Sequence, residues 1–222
     1  MPRITASSNA AQRERTQRAV LDAFGDLLYS NGLTDLTMTQ VAKTAGVGRT
    51  AVYNYFADMG ELLVAYALDK TERFVSDLHR ELAAVENPVD QLGVYVRFQI
   101  EDLSRRHLPP GQAMRTVLSP EDFAKLGEHV QQLQSLLASI LQRAMDEGYL
   151  PEGDTDELSD LVHGSLTSTA DRSKSVQSER AQRERTLATV RFIQRGLGAQ
   201  FDADSRPVRL PSPVSYTHLT LP

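Results

Sequence analysis

The chain has 222 residues, of which 41% are hydrophobic and 24% are charged, and its formal net charge is −5. This composition is typical of a folded globular protein with one or two domains, and it excludes fibrous and wholly disordered chains. The chain has no cysteine, which excludes disulfide frameworks, thiolate metal sites and cysteine nucleophiles. Because such a chain fits a reducing compartment and no segment is apolar enough to span a bilayer, we expect a cytoplasmic protein without a membrane partner.

The charge is distributed unevenly. Residues 1–56 contain six basic and four acidic residues, a charge of +2, which leaves −7 for the rest of the chain. A small basic segment on an acidic body favours binding of nucleic acid by that segment alone. It disfavours a protein that packages DNA without regard to sequence.

Helical periodicity runs through the chain, and no run of alternating β-branched residues is bounded by hairpin dipeptides, so the sequence predicts an all-α fold of about nine helices. The first helix covers about residues 11–30, with an apolar stripe formed by Val20, Phe24, Leu27 and Leu28. The other face of this helix carries Arg13, Arg15 and Arg18.

Two very short helices follow. Thr37 and Gln40 form a capping-box pattern that begins one helix, and Gly46 ends it because glycine readily adopts the left-handed turn. The second short helix begins near Gly48, with Val52 and Phe56 spaced to pack inward. Two short helices joined at a glycine turn are typical of a helix-turn-helix, although an ordinary corner in an all-α domain shows the same pattern.

Longer helices are predicted over the rest of the chain, at about residues 58–85, 89–107, 111–118, 120–147, 154–170 and 178–198. The proline-containing segment 199–222 shows no apolar period, so we predict a disordered tail. Its last nine residues resemble cloning read-through and carry no functional argument.

The short-helix segment resembles a known family. Residues 37–63, TMTQVAKTAGVGRTAVYNYFADMGELL, are similar to the DNA-binding signature of the tetracycline-repressor (TetR) family, and residues 13–66 follow its three-helix layout. The resemblance implies an N-terminal helix-turn-helix DNA-binding head, residues 1–57, and a larger C-terminal helical body for ligand binding and dimerisation, residues 58–198. It further implies a ligand-responsive transcriptional regulator, interpreted as a repressor that binds a palindromic operator as a homodimer through its last two helices.

The resemblance also assigns DNA contacts by position. Arg49, Thr50 and Ala51 would face the bases, and Tyr53 would reach a phosphate. Thr37 would also contact a phosphate, and Thr39 and Gln40 would lie near the edge of the groove. Asn54 and Tyr55 would each contact a phosphate or the edge of a base. These roles suit the side chains, because arginine binds guanine bidentately and a tyrosine hydroxyl can donate to a phosphate.

Two positions depart from the family pattern. Gly48 stands where the family usually has serine, which removes a side-chain N-cap. Met59 stands where the family usually has a lysine that contacts a phosphate, so the salt dependence of DNA binding should be shallower. Arg13, Arg15 or Arg18 could compensate for that missing charge.

Five residues could face a small-molecule effector, although ordinary packing explains the same pattern of aromatic and polar residues: Tyr95, Phe98, Gln99, Phe123 and His163. No pattern of catalytic residues or metal-ligand spacing stands out, so we predict neither an enzyme nor a metal or cofactor site. The open alternative is a helical small-molecule carrier or enzyme whose helix-turn-helix is only structural.

Overall fold

A computed structural model describes residues 6–33, 36–105, 118–173 and 178–211. Within those ranges the fold is all-α, as predicted, with one small hairpin. The helices are α1 (Ala6–Asn31), α2 (Met38–Thr44), α3 (Arg49–Tyr53), α4 (Met59–Ala83), α5 (Pro88–Arg105), α6 (Pro120–Asp146), α7 (Thr155–Ser173) and α8 (Glu179–Gly196). The helix predicted at residues 111–118 lies almost wholly outside the described residues. None of the described helices is long and apolar enough to cross a membrane.

The first of two compact units comprises Met1–Val75 and Arg106–Gln132. Its core is a single apolar cluster in which α1 contributes Val20 and Phe24, both fully buried. Other members, from α2 to the start of α6, include Val41, Val52, Phe56, Leu62, Leu63 and Leu118. The helices of this unit are held together by burial of their apolar stripes, because helices as short as α2 and α3 are not stable alone.

The second unit comprises Ser76–Arg105 and Leu133–Pro222, and its centre is α5 packed against α7 and α8. Gly93 permits the close approach of α5 and α8, since a Cβ there would lie 2.9 Å from Nε2 of Gln194. That amide nitrogen donates to the carbonyl oxygen of Val89 over 2.8 Å in the buried interface. A buried hydrogen bond of this kind fixes the register of the two helices.

The prediction of a disordered tail is wrong for residues 199–211. Strands β1 (Gln200–Phe201) and β2 (Pro207–Val208) pair antiparallel, and the carboxylate of Asp202 accepts hydrogen bonds from the turn amides of Asp204 and Arg206. The amide of Leu210 donates to the carbonyl of Gly148 over 2.7 Å. Local turn bonds and one tertiary bond therefore order a segment that is too short to show an apolar period. The rest of the predicted tail, residues 212–222, lies outside the described residues.

Candidate nucleic-acid interface

The start of α2 is fixed by the predicted capping box. The backbone amide of Gln40 donates to the Thr37 hydroxyl over 3.3 Å, and the Thr37 amide donates to Oε1 of Gln40 over 2.8 Å. The Thr37 hydroxyl also donates to that Oε1, over 2.7 Å. Because its only proton is used in this bond, the Thr37 hydroxyl is not free to donate to a phosphate. The side-chain nitrogen of Gln40, Nε2, is a donor that this box leaves unused.

The turn between α2 and α3 has the geometry expected of its glycine. Gly46 has φ of +67°, its amide donates to the Lys43 carbonyl, and the amide of Val47 donates to the Ala42 carbonyl. These two bonds form a Schellman motif, which ends the helix with its last carbonyls satisfied. The turn therefore positions α3 immediately after α2, as a helix-turn-helix requires.

Helix α3 presents one apolar face to the core and one polar face to solvent. Val52 and Phe56 are buried, as predicted from their spacing, while Arg49, Thr50 and Tyr53 are exposed. The Arg49 guanidinium lies 5.6 Å from the centre of the Tyr53 ring, a cation–π arrangement that holds both side chains on the same exposed surface. The helix begins without a side-chain cap at Gly48, as expected for glycine.

The remaining predicted DNA contacts divide by burial. Thr39 is exposed beside Gln40, and Asn54 is exposed as the C-terminal cap of α3. Ala51 is half-buried, and the half-buried Tyr55 packs against the core cluster of the first unit. The structure therefore gives Tyr55 a packing role, with only part of its side chain open to a ligand.

The two departures from the family pattern have clear local settings. Met59 is half-buried against the core cluster, so its side chain serves packing at this position. The exposed positions of α1 include the three arginines that could compensate, Arg13, Arg15 and Arg18, and Nε of Arg15 donates to the carbonyl of Ala11. These exposed guanidiniums of α1 are therefore available to contact DNA phosphates.

Sequence reasoning missed a second capping arrangement, at the start of α4. The amide of Glu61 donates to the Asp58 carboxylate over 2.9 Å, and the Ala57 amide donates to the Glu61 carboxylate over 2.6 Å. The spacing of the two acids was the available signal. This box fixes the path of the chain directly after α3.

Three of the candidate effector residues form a connected polar cluster in the second unit. Nε2 of Gln99 donates to the Tyr95 hydroxyl over 3.2 Å, and that hydroxyl lies 3.3 Å from Nε2 of His163. Nδ1 of His163 lies 2.9 Å from the Ser159 carbonyl, which can only accept, so Nδ1 carries a proton. Tyr95 is fully buried, and burial raises the pKa of its hydroxyl to about 12.

The other two effector candidates are not part of that cluster. Phe98 is half-buried under the guanidinium of Arg97, 5.1 Å from the ring centre. Phe123 belongs to the first unit, where it packs against the apolar core cluster. The five candidates therefore do not form a single site within one unit.

Comparisons with known proteins match this architecture. Residues 20–66 match the family model described as "Bacterial regulatory proteins, tetR family". The HTH-type transcriptional regulator AlkX of Mycobacterium tuberculosis is 36% identical over 33% of this chain and 35% of its own length, so the match spans about a third of that relative. The HTH-type transcriptional regulator SrpR of Pseudomonas putida is 26% identical over 66% of this chain and 68% of its own length.

A solved structure extends the likeness of fold over most of the chain. The transcriptional regulator FadR of Bacillus subtilis, in complex with stearoyl-CoA, aligns with a TM-score of 0.68. The alignment covers 81% of this chain and 98% of that one at 18% sequence identity. At this identity the likeness establishes the fold alone.

Proposed function

From the match of residues 20–66 to the tetR family of bacterial regulatory proteins, we propose that the chain is a ligand-responsive, DNA-binding transcriptional repressor of that family. The observation that carries the proposal is α3, which buries Val52 in the core and exposes Arg49, Thr50 and Tyr53. An exposed polar face of this kind on the second helix is what contact with the major groove requires. The proposal assigns no catalytic residue and places the protein in the cytoplasm.

The DNA contacts proposed for α3 follow from side-chain chemistry. Arg49 would read a guanine, Thr50 and Ala51 would pack on thymine methyl groups, and Tyr53 and Asn54 would donate to phosphates. In α2, the unused side-chain nitrogen Nε2 of Gln40 is a better phosphate donor than the Thr37 hydroxyl, which already donates its proton to Oε1 of Gln40. Thr39 lies beside Gln40 at the proposed edge of the groove. Tyr55 contacts the DNA only through the part of its side chain that is not packed against the core.

Dimerisation is proposed because one α3 gives little affinity by itself. Two recognition helices one DNA turn apart, ~34 Å or a multiple, double the contacts and require a palindromic operator. Among the described residues, large apolar side chains are strongly exposed on both of the last two helices: Leu161 of α7 is 62% exposed and Phe192 of α8 is 67% exposed. These side chains support pairing of α7 and α8 with their copies in a second chain.

Control by an effector is proposed to act through a shift between populations of the dimer. The two populations differ in the distance between the two DNA-binding heads. A small molecule that binds one of these states more tightly shifts the equilibrium toward it, and only such differential affinity can do so. Helix α4 is continuous from residues of the first unit to residues of the second, which makes it the proposed connection. The stearoyl-CoA of the B. subtilis regulator makes a long-chain acyl-CoA the first effector to try.

The test is selection of binding sites from random DNA duplexes with residues 1–211, followed by titration of the selected site at several salt concentrations. We expect recovery of one inverted repeat, with an affinity that falls as salt rises. A protein that enriches no site and shows no salt-sensitive DNA binding would instead support the alternative, a carrier or enzyme with a structural helix-turn-helix. Release of the selected duplex by an added acyl-CoA would then test the effector separately.

A further inference from the structure

A groove with a cavity volume of about 350 Å³ lies in the second unit between α5, α8 and the β1–β2 hairpin. The helices contribute residues at helical spacing, so that one stripe of each helix forms a wall, and Phe201 and Ser205 of the hairpin also line the groove. Gly93 lets the two helices approach closely at the groove, and Gln194 donates across them to the Val89 carbonyl. A volume of this size is at the lower end of the range for small-molecule sites, ~300–1,000 Å³.

The charge of the groove is positive. Three guanidiniums line it, from Arg97, Arg191 and Arg195, against one carboxylate, that of Asp90. Three positive charges minus one negative charge leave an excess of two. Guanidinium groups bind carboxylates and phosphates through paired hydrogen bonds, so this excess favours an anion.

The three arginines are not equally committed to other partners. Arg195 lies over the Phe201 ring at 5.8 Å, and Arg97 reaches Glu101 only at 4.0 Å, with both side chains about two-fifths exposed. Arg191 makes no ion pair with any other residue in the described part of the chain. Exposed pairs at such distances contribute little, so Arg191 can turn to a ligand at small cost, and Arg97 gives up only this long pair and its stacking over Phe98 at 5.1 Å.

The rest of the lining is apolar. Val94 of α5 and Leu187 and Val190 of α8 share the groove with the Phe201 ring. Leu187 is 55% exposed, and what marks it here is its grouping with the other apolar side chains of the groove, since a single exposed leucine is common. A ligand with an apolar body would cover these side chains while its charged end meets the arginines.

We propose that this groove binds a small amphipathic carboxylate, with the carboxylate held by Arg97 and Arg191 and the apolar body against Val94, Leu187 and Phe201. The apolar wall of the site differs from the proposed dimer surface, because Leu187 and Phe192 are five residues apart and point about 140° apart around α8. Arg191 and Arg195 lie between the two, since they also line a shallow groove with Phe192. It also differs from the Tyr95–Gln99–His163 cluster, whose members do not line the groove. The proposal does not depend on the proposed function, since the binding needs no DNA.

Isothermal titration of the intact protein with octanoate tests the proposal, without DNA and below the concentration at which octanoate forms micelles. We expect saturable binding of one octanoate per chain. Arg97→Gln and Arg191→Gln should each weaken it at least about tenfold, the loss expected when a hydrogen bond to a charged group is removed. The matched control is Arg80→Gln, because Arg80 is an arginine of the same unit that pairs with Asp77 outside the groove, and it should leave the affinity unchanged.

Two further probes separate the chemistry. Octanol, which keeps the apolar body without the charge, and inorganic phosphate, which keeps a charge without the body, should each bind at least about tenfold more weakly than octanoate. Equal binding of phosphate, equal binding of octanol, no binding of octanoate, or an equal loss in the Arg80→Gln control would each overturn the proposal. Circular dichroism of each variant establishes that a lost affinity is not a lost fold.

Discussion

The backbone of Gly25 in α1 lies directly against the ring of Tyr66 in α4. A Cβ built at Gly25 would lie 2.8 Å from Cε2 and 2.9 Å from the hydroxyl oxygen of Tyr66. The same ring packs edge-on against Phe24, with ring centres 5.3 Å apart. The absence of a side chain at residue 25 therefore sets how closely α1 approaches α4 in the first unit.

Gly25→Ala should destabilise the protein despite the better helix propensity of alanine. The propensity gain is about 1 kcal/mol, whereas forcing a methyl group into a packed contact costs about 1–3 kcal/mol. Gly127→Ala is the matched control, because Gly127 is also helical and a Cβ there meets nothing within 4 Å. Chemical denaturation should show a loss for the first variant and a gain for the second; a gain in both would contradict the contact.

Met59→Lys should steepen the salt dependence of DNA binding. A lysine at this half-buried position can place its stem on the core surface and its charge in solvent. One additional phosphate contact in each of two subunits would change the slope of log K against log salt by about −1.8. Ser76→Lys adds the same charge to the same helix within the second unit and is expected to change the slope much less. Equal slopes for the two variants would show that residue 59 lies away from the phosphates.

Phe192→Glu should convert the dimer into monomer, because it places a charge on the exposed apolar surface proposed to pair. Leu187→Glu makes the same kind of change on α8, but on the side that faces the groove. Sedimentation or light scattering should therefore find monomer for the first variant and dimer for the second. A dimer in both cases, with Leu161→Glu also dimeric, would remove this surface from the proposed interface.

The buried Tyr95 hydroxyl should make the protein less stable at high pH. Its pKa is about 12 in the fold against about 10 when unfolded, so between these values the unfolded state loses a proton that the folded state retains. Stability falls as the pH rises through this window, by about 1.4 kcal/mol at pH 11. The unfolding free energies of the wild type and of Tyr95→Phe are measured at pH 9 and pH 11. The drop between the two pH values should be larger in the wild type by about this amount, because only the wild type carries the buried hydroxyl. The same change in both proteins would show that Tyr95 does not titrate in this way.

The parts of the fold that sequence predicted are those with local causes. The Thr37–Gln40 box, the turn at Gly46 and the inward positions of Val52 and Phe56 each depend on residues within a few positions of one another. Spacing along the chain is sufficient for such features.

The parts that sequence did not predict depend on distant contacts. The Tyr95 hydroxyl and His163 are 68 residues apart in the chain, and the β1–β2 hairpin is tied by Leu210 to Gly148. Strands of two residues carry no period that could be read. Likewise, the capping pattern predicted that Thr37 begins α2, but it did not show that the hydroxyl proton is taken by Gln40.

The most direct test of the central claim is the affinity of Arg49→Ala for the inverted repeat selected by the wild-type protein. Removal of one base-reading arginine costs about 1–3 kcal/mol per half-site, so binding by a dimer should weaken by at least about 30-fold while light scattering still finds a dimer. The loss should be greatest for duplexes that carry the selected bases and small for random DNA. A variant that keeps full affinity and full sequence preference would contradict the claim that α3 reads the operator.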